Sequence, residues 1–421
     1  MTTPPTSPAL DALDGLSVGD AFGAQFFVPA TAAAHFADRT DPPGPWPWTD
    51  DTEMACSVYA AHTERGTIDT VDLTQAFALR HDFDRGYGPA ANRLLRLVRE
   101  GGDARVLAAE LFDGQGSYGN GAAMRVAPLG AACAGDLDEV VRLAAETAVI
   151  THTHPQAVDG AIAVAVAAAF AVRARTETMT PSGFLTKVRH YTPSGAVHDA
   201  LAEAAALLAE PDPSVAARVL GNGSRTSAAD TVPYALWCAA RRLADYPAAV
   251  REAVAAGGDM DTVAAITGGV VAAYTGTRGI PAAWLAARES LPAWAFPEPG
   301  SVTGGRGRAD MLVPRPHPVP DVMWTEEQWQ RIRTGPDPAA LDHRWSVHTR
   351  EGAVRICHSR SGHAVWEVAV ASARSGRRPV SAVVEASRNR WMALPGEQHG
   401  TALLAWILAT AATGERAPLR P

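Results

Sequence analysis

Gly15, Gly19 and Gly23 stand four residues apart in "GLSVGDAFG". On a helix this spacing puts three missing side chains on one face. Such a face of bare backbone lets a second backbone approach closely, so the chain must fold with another element lying directly against this one. In a membrane the same spacing would suggest helix dimerisation. Asp11, Asp14 and Asp20 on the same segment argue instead for a buried helix in a soluble core.

What that partner could be follows from the rest of the pattern. In "VDLTQAFALRHDF", "AANRLLRLVREGG", "DLDEVVRLAAETAVI", "VHDALAEAAALLAE" and "DTVPYALWCAARRLA" the apolar residues recur at helical spacing. No comparable set of alternating strands interrupts them, so residues 8–295 read as an all-α domain. With 421 residues, 47% of them hydrophobic and 19% charged, there is ample material for a large core. Residues 296–321 are rich in Pro and Gly and read as a linker or extended crossing. Beyond them the period shifts toward two. "RWSVHTR", "AVRICHS", "AVWEVAVASA", "PVSAVVEAS" and "RWMAL" look like strands, and "GEQHGTALLAWILATAATG" like a closing helix. Residues 322–421 are therefore expected to form a small α+β domain, with Trp324, Trp329, Trp345, Trp366 and Trp391 as core and interface aromatics.

Charge and cysteines narrow the function classes. A net charge of −8 and a pI near 5.9 give no general attraction to nucleic acid or anionic lipid. Cys56, Cys133, Cys238 and Cys357 form no CxxC pair, which argues against a disulfide framework and a thiolate zinc site. The N-terminal residues lack the pattern of a signal peptide, and the apolar run from Ala161 to Val172 is short for a membrane span. A cytoplasmic protein without nucleic-acid or membrane partners is expected.

Two oxygen-rich runs carry the chemistry. "PWTDDTEMACS" sets Thr49, Asp50, Asp51, Thr52 and Glu53 in a row, and "AGGDMDTVAAITGGVVAAYTG" sets Asp259, Asp261 and Thr262 at another helix start. Each run fits a helix cap with acids at the positive end of the dipole. Each also fits a hard cation, which takes carboxylate and hydroxyl oxygens. Redundancy favours the cation, because a cap needs one acceptor and each run offers three in a tight cluster. Brought together without a cation, four carboxylates would repel one another.

Between the runs, "GQGSYGNGAAMRVAPLG" places Gly116, Ser117, Tyr118, Gly119, Asn120 and Gly121 in one turn. Its glycines allow positive φ and close backbone approach, so its amides could surround an anion such as a diphosphate ahead of a helix expected near Ala122. Tyr118 adds a stacking face and Asn120 an amide. "THTHPQAVDGA" adds His152 and His154. Without a third nitrogen or sulfur ligand nearby, they read as loop histidines contacting ligand or backbone rather than as a zinc pair.

In this order and at these distances, "GLSVGDAFGA", "WTDDTEMA", "GSYGNGAAMRVAPLG", "THTHPQAVDGA" and "GGDMDTVAAITGGVVAAYTG" resemble the ADP-ribosylglycohydrolase family over about residues 8–290. The resemblance implies an all-α orthogonal helical bundle with a binuclear Mg²⁺ (or Mn²⁺) centre in a cleft. It implies Thr49, Asp50, Asp51, Asp259, Asp261 and Thr262 as metal ligands; the chemistry then suggests that Asp51 and Asp261 organise the attacking water while Asp50 and Asp259 hold the ions. Gly116 to Gly121 would cradle the diphosphate of ADP-ribose, His152 would line the same cleft, and Thr49 and Thr52 could also cap their helix. The implied partner is an ADP-ribosylated protein or small ADP-ribosyl compound, and the implied reaction is hydrolysis of the bond to its acceptor. One departure stands out. Family members commonly carry a glutamate four residues after the last glycine of the first motif, where this chain has Phe27, which neither transfers a proton nor binds Mg²⁺. Phe26 and Phe27 are expected to pack in the core.

Overall fold

The computed structural model describes residues 7–27, 40–296, 314–335, 338–341, 345–350, 352–358, 364–373, 376–385 and 396–414. It divides into two compact units, Met1–Val98 with Gly102–Pro299, and Arg99–Gly101 with Gly300–Pro421. The larger unit runs through α1 (Pro8–Ala24), α2 (Asp50–Arg65), α3 (Thr70–Arg80), α4 (Pro89–Arg99), α5 (Ala104–Ala109), α6 (Ala127–Ala132), α7 (Leu137–Ala148) and α8 (Pro155–Arg173). It continues through α9 (Pro181–Tyr191), α10 (Ala196–Ala206), α11 (Pro213–Leu220), α12 (Ala228–Arg241), α13 (Tyr246–Ala255), α14 (Met260–Thr275) and α15 (Ala282–Ala287). Most of these helices start as their sequences dictate. Ser7, Asp69, Asp136, Thr180 and Asp212 each turn a side-chain oxygen onto the free amides of the first turn, the ordinary N-cap.

The glycine face of α1 lies on α14. A Cβ added at Gly15 would stand 2.4 Å from the carbonyl oxygen of Gly268, one at Gly19 2.2 Å from that of Ala264, and one at Gly23 2.4 Å from that of Met260. Each step of four along α1 meets a step of four back along α14, so the two helices run antiparallel with backbones in contact. The register has a consequence for function: it brings the C-terminal turns of α1, bearing Asp20, against the N-terminus of α14, bearing Asp259 and Asp261. The Tyr246 hydroxyl, donating to the Gly15 carbonyl at 2.6 Å, pins the far end of the pair.

Around this axis the core is built largely of alanine. Every residue of α8 from Asp159 to Ala171 is buried, and small side chains there let neighbouring helices approach. By length and composition α8 could cross a membrane, but 78% of that segment is buried inside the unit. Phe22, stacked on Trp284 with ring centroids 4.3 Å apart and edge-on to Trp46, fills the space beside the glycine stripe. Phe26 joins it, 5.0 Å from Phe22. Phe27 does not: a 3₁₀ turn over Gln25–Phe27 swings it out, and it is 49% exposed, against the expectation of core packing.

The smaller unit holds one antiparallel sheet of order β1-β5-β4-β3-β2, formed by β1 (Pro314–His317), β2 (Trp345–Arg350), β3 (Ala353–His358), β4 (Ala364–Ala373) and β5 (Gly376–Glu385). Helices α16 (Glu326–Thr334) and α17 (Gly396–Thr413) complete it. Trp324, Trp329, Trp345 and Trp366 are buried in its core with Trp406. The edge strand β1 falls inside the 296–321 stretch that composition reads as a linker. Most of that stretch, 297–313, lies outside the described residues, as do Trp391 and the "RWMAL" segment.

Candidate metal centre and ligand loop

The two oxygen-rich runs occupy the N-termini of α2 and α14, and neither serves as a cap. Thr49 stands at the N-cap of α2 and Asp259 at that of α14, yet neither side chain bonds its own helix amides. For α2 the acceptor comes from another helix. The Asp20 carboxylate of α1 accepts the amides of Thr49 (2.9 Å) and Thr52 (3.2 Å) and the hydroxyls of both. The reading of Thr49 and Thr52 as caps is thus corrected: they donate to Asp20, which caps the helix across the α1–α2 contact.

The same convergence gathers acids. Ligand oxygens of Asp20, Asp51 and Asp261 all lie within 4.8 Å of one another. Asp51 Oδ2 accepts the hydroxyls of Thr49 (3.2 Å) and Thr262 (3.4 Å), while its Oδ1 is buried without a hydrogen-bond partner. Asp261 accepts the Thr262 amide at 2.8 Å. Burial pushes the Asp20, Asp50, Asp51 and Asp261 carboxyls up, and for the last three neighbouring acid charges push further; Asp50 rises to about 8. Among the described residues no arginine, lysine or histidine forms an ion pair with Asp20, Asp50, Asp51, Asp259 or Asp261. Oxygen-only donors, an orphaned buried carboxylate oxygen and no counter-charge fit a hard divalent cation.

All six residues named as ligands, Thr49, Asp50, Asp51, Asp259, Asp261 and Thr262, belong to these two helix starts, and the structure adds Asp20. Asp20 lies in the first glycine motif, on the helix read as buried, and is itself fully buried. Glu53, fifth in the run, points elsewhere. It accepts the Tyr87 hydroxyl at 2.6 Å and the Asp82 amide at 3.1 Å, and so fixes the loop before α4. Its oxygens are not part of the cluster.

The ligand loop is tied to the cluster through Asn120. Its side-chain amide donates to Asp259 Oδ2 at 2.6 Å and to Thr231 Oγ1 at 3.0 Å. The glycines around it are explained by the neighbouring segment 152–154. A Cβ at Gly116, where φ is +73°, would strike Thr153 Oγ1, and one at Gly121 would stand 2.8 Å from the His152 ring. Only Gly116 of the three has positive φ, so Gly119 and Gly121 serve close approach alone. His152 is buried behind the loop as its wall. Burial, reinforced by the Arg125 charge, pushes it down to about 3, and its Nδ1 lies 2.6 Å from the Thr151 hydroxyl. His154 instead caps α8, accepting the Gln156 amide.

Fewer amides face outward than the loop's composition suggests. Those of Gly116, Gly119 and Asn120 go to Leu111 O, Ser117 Oγ and Thr226 O and are taken up by the protein itself. No long helix follows: Asn120–Ala122 is a single 3₁₀ turn, and α6 starts only at Ala127. Tyr118 is 43% exposed and pairs with Phe112, 50% exposed, at 5.9 Å. Phe112 and Asp113 sit at φ of +53° and +58°, a strained conformation for such residues that turns the Phe112 ring toward Tyr118. Sequence periodicity carried no hint of Phe112.

The sequence profile of the ADP-ribosylglycohydrolase family matches residues 1–301. ADP-ribosylhydrolase ARH3 of Xenopus tropicalis is 28% identical over 274 residues, spanning 58% of this chain and 77% of that protein. The Homo sapiens ARH3 is 27% identical over 276 residues, 56% and 73% of the two chains. ADP-ribosyl-[dinitrogen reductase] glycohydrolase of Rhodospirillum rubrum is 31% identical over 159 residues, 35% and 52%. A solved structure described as an ADP-ribosylglycohydrolase-related protein complex aligns with a TM-score of 0.49 at 27% identity, over 67% of this chain and 92% of that one.

Proposed function

The chain belongs to the ADP-ribosylglycohydrolase family and is a hydrolase of glycosyl bonds, and from that premise we propose that it releases ADP-ribose from an acceptor with the help of two divalent cations, Mg²⁺ or Mn²⁺. Arginine-linked protein is the first candidate acceptor, ahead of serine-linked protein and small ADP-ribosyl compounds. The observation that carries the proposal is the buried carboxylate cluster with an orphaned Asp51 oxygen and no cationic partner. Asp20, Asp50, Asp51, Asp259 and Asp261, with the Thr49 and Thr262 hydroxyls, would hold the cations.

Hydrolysis breaks the bond between the anomeric carbon of the ribose and the acceptor, through a state with oxocarbenium character; water supplies the new bond and the acceptor leaves with a proton. Bound cations would supply Lewis acidity and a template for the ribose hydroxyls. The protein's own groups set the geometry. The Thr49 and Thr262 hydroxyls lie on Asp51 Oδ2 and leave Oδ1, buried without a partner, to orient a water. Asn120 fixes Asp259 and places the ligand loop beside it. The exposed Phe112–Tyr118 pair offers a purine a stacking face, and the loop from Gly116 to Gly121 would lie along its phosphates. Gly116, Gly119 and His152 shape the loop from behind.

Phe27, exposed on its 3₁₀ turn, supplies no proton to the leaving acceptor, so a cluster carboxyl or solvent must. It also favours a second reading, ADP-ribose binding without turnover. A third, cleavage of the diphosphate by the same cations, would release AMP. Incubating the protein with arginine- and serine-ADP-ribosylated proteins, with Mg²⁺ or EDTA, and weighing the product separates the three. Intact ADP-ribose formed only with Mg²⁺ and lost in Asp259→Ala supports the hydrolase; binding without release supports the second reading, and AMP the third.

A further inference from the structure

The seven residues 221–227, "GNGSRTS", join the two halves of the site. The Asn222 carbonyl accepts the Asp259 amide at 3.0 Å, and the Thr226 carbonyl accepts the Asn120 amide at 3.0 Å. Gly223 is pressed so closely on the metal-side aspartate that a Cβ there would stand 2.4 Å from the Asp259 Cβ. One short loop therefore touches the backbone of both the cation site and the ligand loop.

Its conformation is not one the chain adopts freely. Gly221, Gly223 and Thr226 have φ of +90°, +83° and +52°, and a β-branched residue in that region is strained. The restraint comes from Asp230, buried in the first turn of α12. Its carboxylate accepts the Arg225 amide (2.9 Å), Nε (2.9 Å) and Nη2 (2.7 Å), and its carbonyl accepts the Gly223 amide (2.8 Å). The Arg225 side chain is otherwise in solvent, 79% exposed, so it fills no core space. Its contribution is the shape of the loop.

We infer that Arg225 and Asp230 are positioning residues: their bonds set loop 221–227 and, through it, the placement of Asp259 relative to Asn120. The inference rests on the cation-assisted reading above. The effect should be that of an outer-shell partner, whose loss typically lowers cation affinity or activity by about 10–100-fold. Arg225→Ala alone removes the fork without touching the cluster, the ligand loop or the core.

The test compares the full-length protein with Arg225→Ala, Arg225→Lys and, as a control, Arg142→Ala, an exposed arginine paired with Glu139 and Glu146 on α7. Three quantities are read: Mg²⁺ affinity by calorimetry, kcat and KM for ADP-ribose release, and deuterium uptake at amides 120 and 259. In Arg225→Ala the Mg²⁺ half-saturation and KM should rise by about tenfold or more. Uptake at those two amides should accelerate several-fold, while the cation-free melting midpoint stays near wild type. Lysine, a point charge without the fork, should restore only part, and Arg142→Ala should change nothing. Affinity, KM and exchange all within about twofold of wild type would overturn the inference. If the wild type neither binds Mg²⁺ nor releases ADP-ribose, the functional reading fails, and exchange at 120 and 259 alone then decides whether the latch exists.

Discussion

Asp50→Asn should stabilise the cation-free protein and weaken the cation-loaded one. Burial first, then the charges of Asp20 and Asp259, lift the Asp50 carboxyl from 3.8 to about 8. An acid raised in the folded state holds its proton there after the unfolded chain has lost it. The associated stability is full below about pH 4 and drains as pH rises to about 8, at about 1.4 kcal/mol per pH unit, or about 6 kcal/mol in all before solvent screening. Asp50 is only half-buried by surface, so about 2–4 kcal/mol is the realistic cost at pH 8. Asparagine keeps the shape and removes the charge. In EDTA at pH 8 the variant should melt higher than wild type by roughly 5 °C or more, given about 2–4 °C per kcal/mol for a unit of this size, and the difference should vanish near pH 4. With Mg²⁺ at a thousand times its Kd, wild type should gain about 4.1 kcal/mol and the variant much less, reversing the order. The assay is calorimetric melting over this pH range with and without the ion. A variant that melts lower than wild type by the same amount in EDTA and in Mg²⁺ would refute the reasoning, because Asp50 would then be an ordinary structural carboxylate.

Gly19→Ala drives a methyl to 2.2 Å from the Ala264 carbonyl, and backbone cannot step aside as a side chain can. The expected loss is about 3 kcal/mol or outright misfolding, and a denaturant midpoint implying under about 1 kcal/mol would contradict the contact. Tyr118→Ala, at an exposed position, should leave the melting point within about 0.5 kcal/mol of wild type while raising KM about tenfold or more, since stacking one base is worth about 1–3 kcal/mol; an unchanged KM would place the purine elsewhere. Phe27→Glu restores a carboxylate on an exposed turn. If protonation of the leaving acceptor limits the rate, ADP-ribose release should speed up by about tenfold or more, toward the 10²–10⁴ of a positioned acid, and an unaltered rate would mean that the cluster or solvent already does this work.

What could be read in advance, and what could not, divides along a physical line. The glycine spacing of α1 specifies a bare helix face whatever its partner, so the close contact was legible, and the antiparallel register on α14 supplies what spacing lacks. The acids at the starts of α2 and α14 were legible as a pair of clusters because each offers more acceptors than a cap can use. Which oxygen serves which amide was not. Capping rules assume that a helix is capped from its own chain neighbour, whereas α2 is capped by Asp20 across a helix contact, and the Thr49 hydroxyl is shared between Asp20 at 2.8 Å and Asp51 at 3.2 Å. Glu53 shows the converse: four residues from Thr49 along α2, it belongs to the Tyr87 side. His152 and the loop glycines mislead in a related way, since glycine near a presumed anion site suggests a cradle, yet Gly119 and Gly121 are bare because an imidazole stands against them. Local sequence determines which face of a helix or turn a residue takes. The tertiary register, set here by three glycines, determines whether that face meets a cation, a hydroxyl or a ring, and this is why the α1–α14 contact is the feature on which the whole site depends.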